Sequence, residues 1–264
     1  MKLSIIFLNT YNARYKDDFF KFLDDNRPDV FCFQEIYSGL ESAVTSTGSM
    51  VDQYYQMRLV LGEEYYGYHN VRQEDWPNSA YKKHNPWGNA IFVKKGINVC
   101  SYFEEYVLGY RNSADKDNLS KTLPVGAQSV TLLIDEKLIS VTNFHGYYAG
   151  VGIGKGDSPE RLLQSKKLLE HLEKLPGQKI LGGDFNLDPD TESIAIIERS
   201  EMQNLIKKYT IQGTRTTKYP EEKRVKNPFA DYVFCAADVI VSSFSVDTDF
   251  SGSDHAPMFL EIEV

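Results

Sequence analysis

Two polar residues that lie two positions apart, Asp184 and Asn186, are the most informative feature of this chain. They occur in the stretch KILGGDFNLDP, residues 179 to 189, directly after a short apolar run. In extended backbone, residues i and i+2 point to the same side, so both polar groups would face one point while Phe185 turns into the core. That pair suits a metal-bound water or a phosphate oxygen. The alternative is a turn that ends a strand, since Gly, Asp, Asn and Pro are common there.

Similar polar groups recur at the ends of other apolar, strand-like runs. SIIFLN, VFCFQE and SVTNFH each end in a polar or ionisable residue. FADYVF and GSDHAPMFL carry such residues before their apolar runs. Folds of the α/β class place their sites at the ends of buried strands, and these residue types suit a hard cation together with acid–base chemistry. The sequence therefore predicts one site assembled from Asn9, Glu35, His145, Asp184, Asn186, Asp231, Asp254 and His255.

The elements that must position these groups are mostly strands. Helices are predicted in YKDDFFKFLDDN, PERLLQSKKLLEHLEKL and TESIAIIERS, and the second begins with a capping-box pattern that carries Pro159 near the first helical position. The strand-like runs are KLSIIFL, DVFCF, NAIFVKK, QSVTLLI, KLISVTNF, KILGG, DYVFCA, DVIVSSFSV and PMFLEIEV. Many strands and few helices indicate sheets packed together with helices outside.

Residues 38 to 88 fit neither pattern and are predicted to form a long irregular insertion or lid. Aromatic residues crowd this segment. Beside Arg72, Lys82 and Lys83, such rings could stack nucleic-acid bases, and they could equally form a small core of the insertion itself. The aromatic residues are Tyr54, Tyr55, Tyr65, Tyr66, Tyr68, Trp76, Tyr81 and Trp87. A second polar run, EEKRVK at 221 to 226, is interpreted as a solvated loop.

Composition limits the class of protein. A chain of 264 residues, 42% hydrophobic, without a linker or low-complexity tract, suits one α/β domain over residues 1 to 264. The net charge of −8 argues against gripping duplex nucleic acid through a basic face, but not against meeting phosphate through a bound cation.

The compartment is predicted from cysteines and hydropathy. Cys32, Cys100 and Cys235 are an odd number, lie in apolar strand-like runs and lack C-x-x-C spacing, so we expect buried thiols in a reducing compartment. No run approaches the roughly 18 apolar residues of a membrane span. MKLSIIFLN is interpreted as a first strand rather than a signal peptide. These features predict a cytoplasmic protein, and we expect a monomer.

These motifs together resemble those of the endonuclease/exonuclease/phosphatase superfamily of metal-dependent phosphoesterases. The resemblance covers the whole chain, in the family's order, through LNTYN, CFQEI, GNAIFVKK, NFH, GGDFN, DYVF and SDHAP. GGDFN and SDHAP are specific signals, whereas GNAI is weak alone. The resemblance implies a four-layer α/β sandwich, in which two mixed β-sheets pack face to face with helices outside and the site lies at one end.

A divalent cation is the cofactor that this reading implies. Glu35 and Asp254 are hard oxygen ligands suited to Mg²⁺ or Mn²⁺, and Asn9 is a further candidate ligand. The alternative for Glu35 is a surface salt bridge. The family resemblance supports the metal role.

Acid–base and phosphate-binding roles are assigned to the remaining groups. Asp184 would orient or deprotonate the attacking water, while Asn186 and Asn9 would contact phosphate oxygens. His255 would stabilise charge in the transition state, with Asp231 holding its other ring nitrogen. The alternative for His255 is a histidine satisfied within the core.

Three further residues bear on the substrate. At the position of His145 the apurinic-endonuclease branch carries tyrosine, whereas a histidine is like the pancreatic-type deoxyribonucleases, sphingomyelinases, deadenylases and tyrosyl-DNA phosphodiesterases. Asn89, in GNAIFVKK, is predicted to approach the phosphate. Arg161, in ERLLQ, is predicted to bind substrate, and an ordinary amphipathic helix start is its alternative.

The sequence thus predicts a Mg²⁺-dependent phosphoesterase that cleaves a phosphodiester, in nucleic acid, by in-line attack of a water activated by Asp184. A phospholipid or a small phosphorylated metabolite is the alternative substrate. A binding protein that kept the fold without the reaction is the alternative class. The motifs do not choose among substrates, because specificity lies in the loops, above all in residues 38 to 88.

Overall fold

The computed structural model describes residues 1–74, 84–115, 117–118, 122–150 and 154–264. Within them, twelve strands form two six-stranded sheets. The strands are β1 (Lys2–Asn9), β2 (Val30–Tyr37), β3 (Tyr65–Gln73), β4 (Trp87–Lys94), β5 (Asn98–Leu108), β6 (Val125–Ile134), β7 (Lys137–His145), β8 (Gln178–Asp184), β9 (Met202–Asn204), β10 (Asp231–Ala236), β11 (Ile240–Val246) and β12 (Met258–Glu263).

The helices lie between these strands. They are α1 (Lys16–Asp25), α2 (Gln53–Leu61), α3 (Pro159–Glu173), α4 (Glu192–Glu198), α5 (Leu205–Lys208) and α6 (Glu221–Lys226), with single 3₁₀ turns at Tyr11–Ala13 and Gly62–Glu64. The longest helix, α3, begins as its sequence predicts. The Ser158 hydroxyl accepts the backbone N–H of Arg161, and Pro159 occupies the first turn, where its missing N–H is harmless.

The two sheets share one plan. The first has the order β11-β12-β1-β2-β4-β3 and the second β5-β6-β7-β8-β10-β9. Each contains one parallel pair, β1 with β2 and β7 with β8, among antiparallel neighbours. The chain passes between the strands of each parallel pair through a helix, α1 or α3, as parallel pairs require. The carboxyl ends of all four strands therefore lie at one end of their sheets.

Apolar side chains fill the spaces between the layers. Phe7, Ile91, Val141 and Phe144 belong to the core that the two sheets enclose, and this core continues beneath α3 and α4. A second core, around Phe33, lies between the first sheet and helices α1 and α2. The architecture is the four-layer α/β sandwich that the sequence predicted.

A buried polar bridge joins the two sheets beneath the end where the site lies. Gln34 of β2 donates to the side-chain oxygen of Asn143 in β7 over 2.6 Å. The Asn143 amide donates back to the carbonyls of Phe33 and Ala90, at 2.9 and 3.1 Å. Because unmatched polar groups are costly in a core, this bridge favours one register of the two sheets.

The structure corrects several expectations outside the site. Residues 38 to 88 are not irregular throughout, because they contain α2 and the edge strand β3. EEKRVK is the short helix α6 rather than a loop. Cys32 and Cys235 are buried as expected, but Cys100 is exposed on β5.

The aromatic crowding of residues 38 to 88 is partly structural. Tyr54 and Tyr65 belong to the core under α2, whereas Tyr55 and Tyr66 are exposed. The predictions for Trp76, Tyr81, Lys82 and Lys83 fall outside the described residues. No helix in the described part of the chain is long and apolar enough to cross a membrane.

Candidate active site

The strand registers bring the predicted residues together at one end of the sandwich. His145, the last residue of β7, pairs with Asp184, the last residue of β8. Asp184 in turn pairs with Asp231, the first residue of β10. Across the sandwich, β1 and β2 end at Asn9 and just beyond Glu35. Asp254 and His255 reach the same end from the loop before β12.

A cavity of about 490 Å³ opens at this end. Six of the predicted residues line it, namely Glu35, His145, Asp184, Asn186, Asp254 and His255. Two more lie directly behind it. Asn9 bonds to Asp184, and Asp231 bonds to His255.

Close packing around β8 requires glycine at the two positions before Asp184. Gly183 has φ +134°, and a Cβ there would lie 2.0 Å from the carbonyl oxygen of Phe144. A Cβ on Gly182 would lie 2.7 Å from the ring of Phe7 in the opposite sheet. Only glycine allows β8 to approach both neighbours this closely. The carboxylate of Asp184 is therefore carried on a tightly packed strand.

A turn, rather than extended backbone, brings the side chains of Asp184 and Asn186 to the same cavity. Asn186 has φ +54°, a left-handed conformation that asparagine tolerates better than most residues. Its backbone N–H donates to Asp184 Oδ1 over 2.8 Å. The expected side-by-side placement and the alternative turn are thus both present. Phe185 is buried between them, as predicted, against Phe144 and Tyr232.

His255 lies between two carboxylates. Its Nδ1 is 2.9 Å from both oxygens of Asp231, and its Nε2 is 3.6 Å from Asp184 Oδ2. Nη1 of Arg215 contacts the same Nε2 over 2.5 Å. Whether the ring is neutral or charged, its Nδ1 proton faces Asp231, which accepts it. The ring is therefore held with Nε2 toward the cavity.

The charges of this cluster set its protonation. Burial raises the pKa of Asp184, but His255, His145 and Arg215 outweigh it and lower that pKa to about 2. Burial and Arg215 lower the pKa of His255, yet the surrounding carboxylates outweigh both and raise it. Asp184 is thus an ionised base at neutral pH, and His255 is the histidine that gains a proton more readily.

His145 has a different environment from His255. Its Nε2 is 3.8 Å from Asp184 Oδ2, its Nδ1 has no hydrogen-bond partner, and its ring meets the Trp87 ring edge-on at 5.7 Å. Burial, followed by the charge of Arg72, lowers the pKa of His145 to about 3. His145 therefore acts as a neutral imidazole near neutral pH, and any cationic role falls to His255.

Glu35 is presented by an irregularity in β2. The residue has φ +59°, uncommon outside glycine, and the pairing of β2 with β4 shifts between Phe33 and Ile36. This bulge turns Glu35 into the cavity. Its Oε1 accepts the Asn9 amide at 3.2 Å, and its Oε2 accepts the Asn12 amide at 2.8 Å.

Glu35 and Asp254 fit a hard cation. Both line the cavity, and Asp254 Oδ1 is buried without a hydrogen-bond partner. Burial, the largest influence, raises the pKa of Glu35, so a cation beside it would stabilise the charged form. Two carboxylates with space for water match the way Mg²⁺ is bound in proteins.

The other buried acidic cluster is better explained without a metal. Asp184, Asp231 and His255 offer ligand atoms within 4.8 Å of one another. However, the ring nitrogen that faces Asp231 is already hydrogen-bonded to it. We interpret these three residues as a proton-handling group.

Three predicted residues are placed differently from expectation. Asn9 donates its amide to Glu35 and to Asp184, at 3.2 and 3.0 Å, while its oxygen accepts the N–H of Tyr11. This orientation makes Asn9 a bridge between the two carboxylates. Asn89 is fully buried in β4 opposite the bulge and does not line the cavity.

Arg161 also lies away from the cavity. Its guanidinium donates to the carbonyls of Gly154 and Gly156, over 3.1 and 2.5 Å. These bonds clamp the loop that carries Lys155, whose side chain does line the cavity. Arg161 therefore positions a neighbour of the site, and no substrate contact is evident from its geometry.

Two residues of the cavity, Asn12 and Lys155, were given no role by the sequence analysis. Asn12 bonds to both Glu35 and the Trp87 indole, and its place in LNTYN, three residues after Asn9, was an available signal. Lys155 stands in no motif, and only the tertiary fold brings it to the cavity. Arg72 was considered only as a cation beside stacking aromatic rings, and TRTTK, residues 214 to 218, which carries Arg215, was expected to line the cleft or to form a turn. Both arginines line the cavity.

Comparison with solved structures identifies the fold. A protein described as an endonuclease/exonuclease/phosphatase from Bacteroides vulgatus matches with TM-score 0.71 at 16% identity, over 100% of this chain and 99% of its own. A mannosyl-6-phosphatase from Bacteroides thetaiotaomicron VPI-5482 matches with TM-score 0.71 at 17% identity, over 99% and 100%. The human Nocturnin catalytic domain, with bound sulfate, matches with TM-score 0.66 at 16% identity, over 99% and 93%.

Sequence comparison identifies the family. The model of the Endonuclease/Exonuclease/phosphatase family matches residues 9 to 255. The chain therefore belongs to this family, whose members act on phosphoesters. A search of curated proteins found no significant match.

Proposed function

We propose that this protein is a divalent-metal-dependent hydrolase that cleaves a phosphate ester by in-line attack of water. One observation carries the proposal. The ionised carboxylate of Asp184 lies at the cavity between His145 and His255, and His255 is oriented by Asp231. A base, a histidine that can carry charge and a carboxylate that fixes its ring are the groups that such a hydrolysis needs.

Each residue of the cavity has its own part in the proposed hydrolysis. Asp184 accepts a proton from the attacking water, whose oxygen forms the new bond to phosphorus. The bond from phosphorus to the leaving oxygen breaks, and that oxygen takes up a proton, so one water is consumed for each ester cleaved. His255 faces the cavity with Nε2 and offsets the negative charge that grows on the phosphate. Asn186 offers its amide to the same phosphate.

Glu35 and Asp254 would hold Mg²⁺ or Mn²⁺, with Asn9 and Asn12 fixing the Glu35 carboxylate. When bound, the cation polarises a phosphate oxygen and offsets its charge. The catalytic, metal-binding and substrate-binding roles of these residues are parts of the proposal.

The nucleic-acid phosphodiester predicted from the sequence remains a prediction. The cavity is of a size that accepts a small molecule or one end of a chain. The net charge of −8 is also unfavourable for tracking along a duplex. Both features favour a small or single-stranded substrate. Localisation in the cytoplasm and a monomeric state likewise stay predictions.

A pair of chromogenic esters tests the proposed function. The purified protein should hydrolyse p-nitrophenyl phosphate, bis-p-nitrophenyl phosphate or both when Mg²⁺ or Mn²⁺ is present. Chelation should abolish the turnover, and restoring the metal should recover it. A protein that binds the esters but hydrolyses neither with either metal would be a binding protein on this fold.

The first substitution prediction concerns the metal. Glu35→Gln keeps the size and shape of the side chain but removes the anionic charge that a hard cation needs. We expect Mg²⁺ affinity, measured by calorimetry, to fall at least about tenfold, because even the loss of a partner outside the ligand shell has that effect. Glu63→Gln is the matched control, since the Glu63 side chain is fully exposed on the surface beside Lys95. Unchanged Mg²⁺ binding in Glu35→Gln would exclude Glu35 as a ligand.

The second prediction is a pH dependence. Lys155 lines the cavity and donates to the carbonyl of Phe229, and burial, followed by the charge of Arg215, lowers the pKa of Lys155 to about 8. Its positive charge is therefore present below pH 8 and is lost as the pH rises above it. We expect KM for an anionic ester to rise roughly tenfold across this range, the value of one charge-assisted hydrogen bond.

Two variants separate Lys155 from other titrating groups. Lys155→Arg keeps its charge at high pH, so its KM should stay flat to about pH 10. Lys155→Met should have a high KM at every pH. If KM rises above pH 8 equally in the wild type and in Lys155→Arg, another group is responsible.

A further inference from the structure

Two buried arginines border the cavity without a full set of partners. Arg72 of β3 and Arg215 of the loop between α5 and α6 are 1% and 7% exposed. Each has a guanidinium nitrogen without a hydrogen-bond acceptor, Nη1 of Arg72 and Nε of Arg215. Guanidinium groups are almost always protonated, so both side chains carry a full charge. The family motifs in the sequence include neither residue.

Arg72 is the more unusual of the two. Its Nε and Nη2 both donate to one carbonyl, that of Pro124, and its guanidinium lies 5.1 Å from the centre of the Trp87 ring. Within the described part of the chain, no carboxylate forms an ion pair with it. Buried charges are normally paired, because an unpaired one loses its hydration without compensation. An anion in the adjoining cavity would supply the missing partner.

Arg215 approaches the same place from another element. Its Nη1 contacts His255 Nε2 and lies 3.4 Å from Asp254 Oδ2, and its guanidinium stacks on the Tyr219 ring at 4.3 Å. The Trp87 ring, over which the Arg72 guanidinium lies, also contacts the His145 ring edge-on. Arg215 therefore contacts His255 directly, whereas Arg72 is linked to His145 through the Trp87 ring.

We propose that Arg72 and Arg215 together bind the terminal phosphate of a small phosphomonoester, which makes this protein a phosphomonoesterase. The proposal rests on the proposed function of phosphate-ester hydrolysis and narrows its substrate class. A terminal phosphate carries nearly two negative charges at neutral pH and three oxygens that accept hydrogen bonds. An internal phosphodiester carries one charge and two such oxygens.

The charges that line the cavity favour an anion that carries more than one negative charge. Three carboxylates line it, Glu35, Asp184 and Asp254, of which Glu35 and Asp254 are the proposed cation ligands. Five cationic side chains line it as well, namely Arg14, Arg72, Lys155, Arg215 and Lys223. In a chain of net charge −8 this gathering of cations is local to the cavity. Arginine pairs bind phosphate oxygens through their fork of N–H groups. The reaction is then a monoester plus water giving an alcohol plus inorganic phosphate.

The test compares one ester of each class across arginine variants. For p-nitrophenyl phosphate and bis-p-nitrophenyl phosphate, kcat/KM is measured in the wild type, Arg72→Met, Arg215→Met and Arg215→Lys. Methionine keeps much of the side-chain volume without charge. We expect each methionine variant to lose roughly 10- to 100-fold more kcat/KM on the monoester than on the diester, the effect of one charge-assisted hydrogen bond, because Arg215 also contacts His255 and its loss lowers both rates. Arg215→Lys should recover part of the loss.

Two controls support this comparison. Arg199→Met removes an exposed arginine that pairs with Glu192 on the surface, and it should leave both rates unchanged. Thermal melting shows whether Arg72→Met folds. If Arg72→Met does not fold, the Arg215 variants and the inhibition measurement described below test the phosphomonoester proposal.

A binding measurement on the wild type gives a second readout. Inorganic phosphate should inhibit competitively, at least about tenfold more tightly than dimethyl phosphate, which has one charge. Arg72→Met and Arg215→Met should each reduce that difference. Equal inhibition by both anions, or equal losses on both esters, would overturn the phosphomonoester assignment, and faster cleavage of short oligonucleotides than of any monoester would do the same. Hydrolysis of neither ester class would instead contradict the proposed function.

Discussion

Asp184→Asn should lower kcat by roughly 10²–10⁴ and change KM little, because it removes the base that takes the proton from the attacking water. The carboxylate is ionised and faces both histidines, and it also accepts hydrogen bonds from the Asn9 amide and the Asn186 backbone. An amide preserves the size of the side chain. The expected loss therefore reports on charge and basicity, as single-turnover kinetics would show.

Neighbouring substitutions sharpen this result. Asn186→Ala should lower kcat by roughly 10²–10³ if its amide behaves like a donor in an oxyanion hole. Since both residues serve one transition state, the double variant should lose much less than the product of the single losses. Phe185→Leu is the control between them, buried against Phe144, and should lower stability while sparing kcat. Strictly multiplicative losses would show that Asp184 and Asn186 act on different steps.

His255→Gln should lower kcat by a similar factor, roughly 10²–10⁴, because glutamine can donate to Asp231 but cannot carry a positive charge. Asp231→Asn should fall in the same class and be no more severe, because the imidazole remains but loses the carboxylate that holds its Nδ1 proton. The measurement is kcat across pH 5.5 to 9 for the three proteins. The wild-type profile should contain an ionisation that His255→Gln lacks.

A buried histidine elsewhere provides the matched control. His171 is fully buried on α3, where it contacts Ser129 and Glu105, and it does not line the cavity. His171→Gln should change the melting temperature and leave kcat and its pH profile intact. A full-speed His255→Gln enzyme would remove His255 from the mechanism.

Most of the fold could be predicted because its strands are apolar runs with buried faces. Nine of the twelve strands in the described residues correspond to predicted runs. The strands that were missed, β3, β5 and β9, lie at sheet edges. Their exposed faces carry polar residues and tyrosines, so β5 reads NVCSYFEEYVL with most side chains only partly buried. Helix α2 was missed because its polar face and flanking glycines gave no clear periodicity.

The meeting of Asp184 and His255 at one cavity could be predicted, whereas their roles stay a proposal. Asp184 and His255 occur in specific motifs at strand ends, and the parallel registers place such ends together. Asn89 and Arg161 were assigned to the substrate because GNA and ERLLQ resemble segments of the family. However, Asn89 is fully buried in β4, and the Arg161 guanidinium donates to loop carbonyls. The anion-binding role proposed for Arg72 and Arg215 could not be found from sequence, because it rests on buried guanidinium nitrogens without acceptors, which only the tertiary structure creates.

The most direct test of the central claim is the path of oxygen. The protein hydrolyses the p-nitrophenyl ester for which its kcat/KM is higher, in water enriched in ¹⁸O and with Mg²⁺ or Mn²⁺. The masses of both products are then measured by mass spectrometry. Attack of a water activated by Asp184 on phosphorus predicts one ¹⁸O in the phosphorus-containing product, unlabelled p-nitrophenol, and almost no product of either kind from Asp184→Asn. Label in the p-nitrophenol, or equal turnover by Asp184→Asn, would contradict the account.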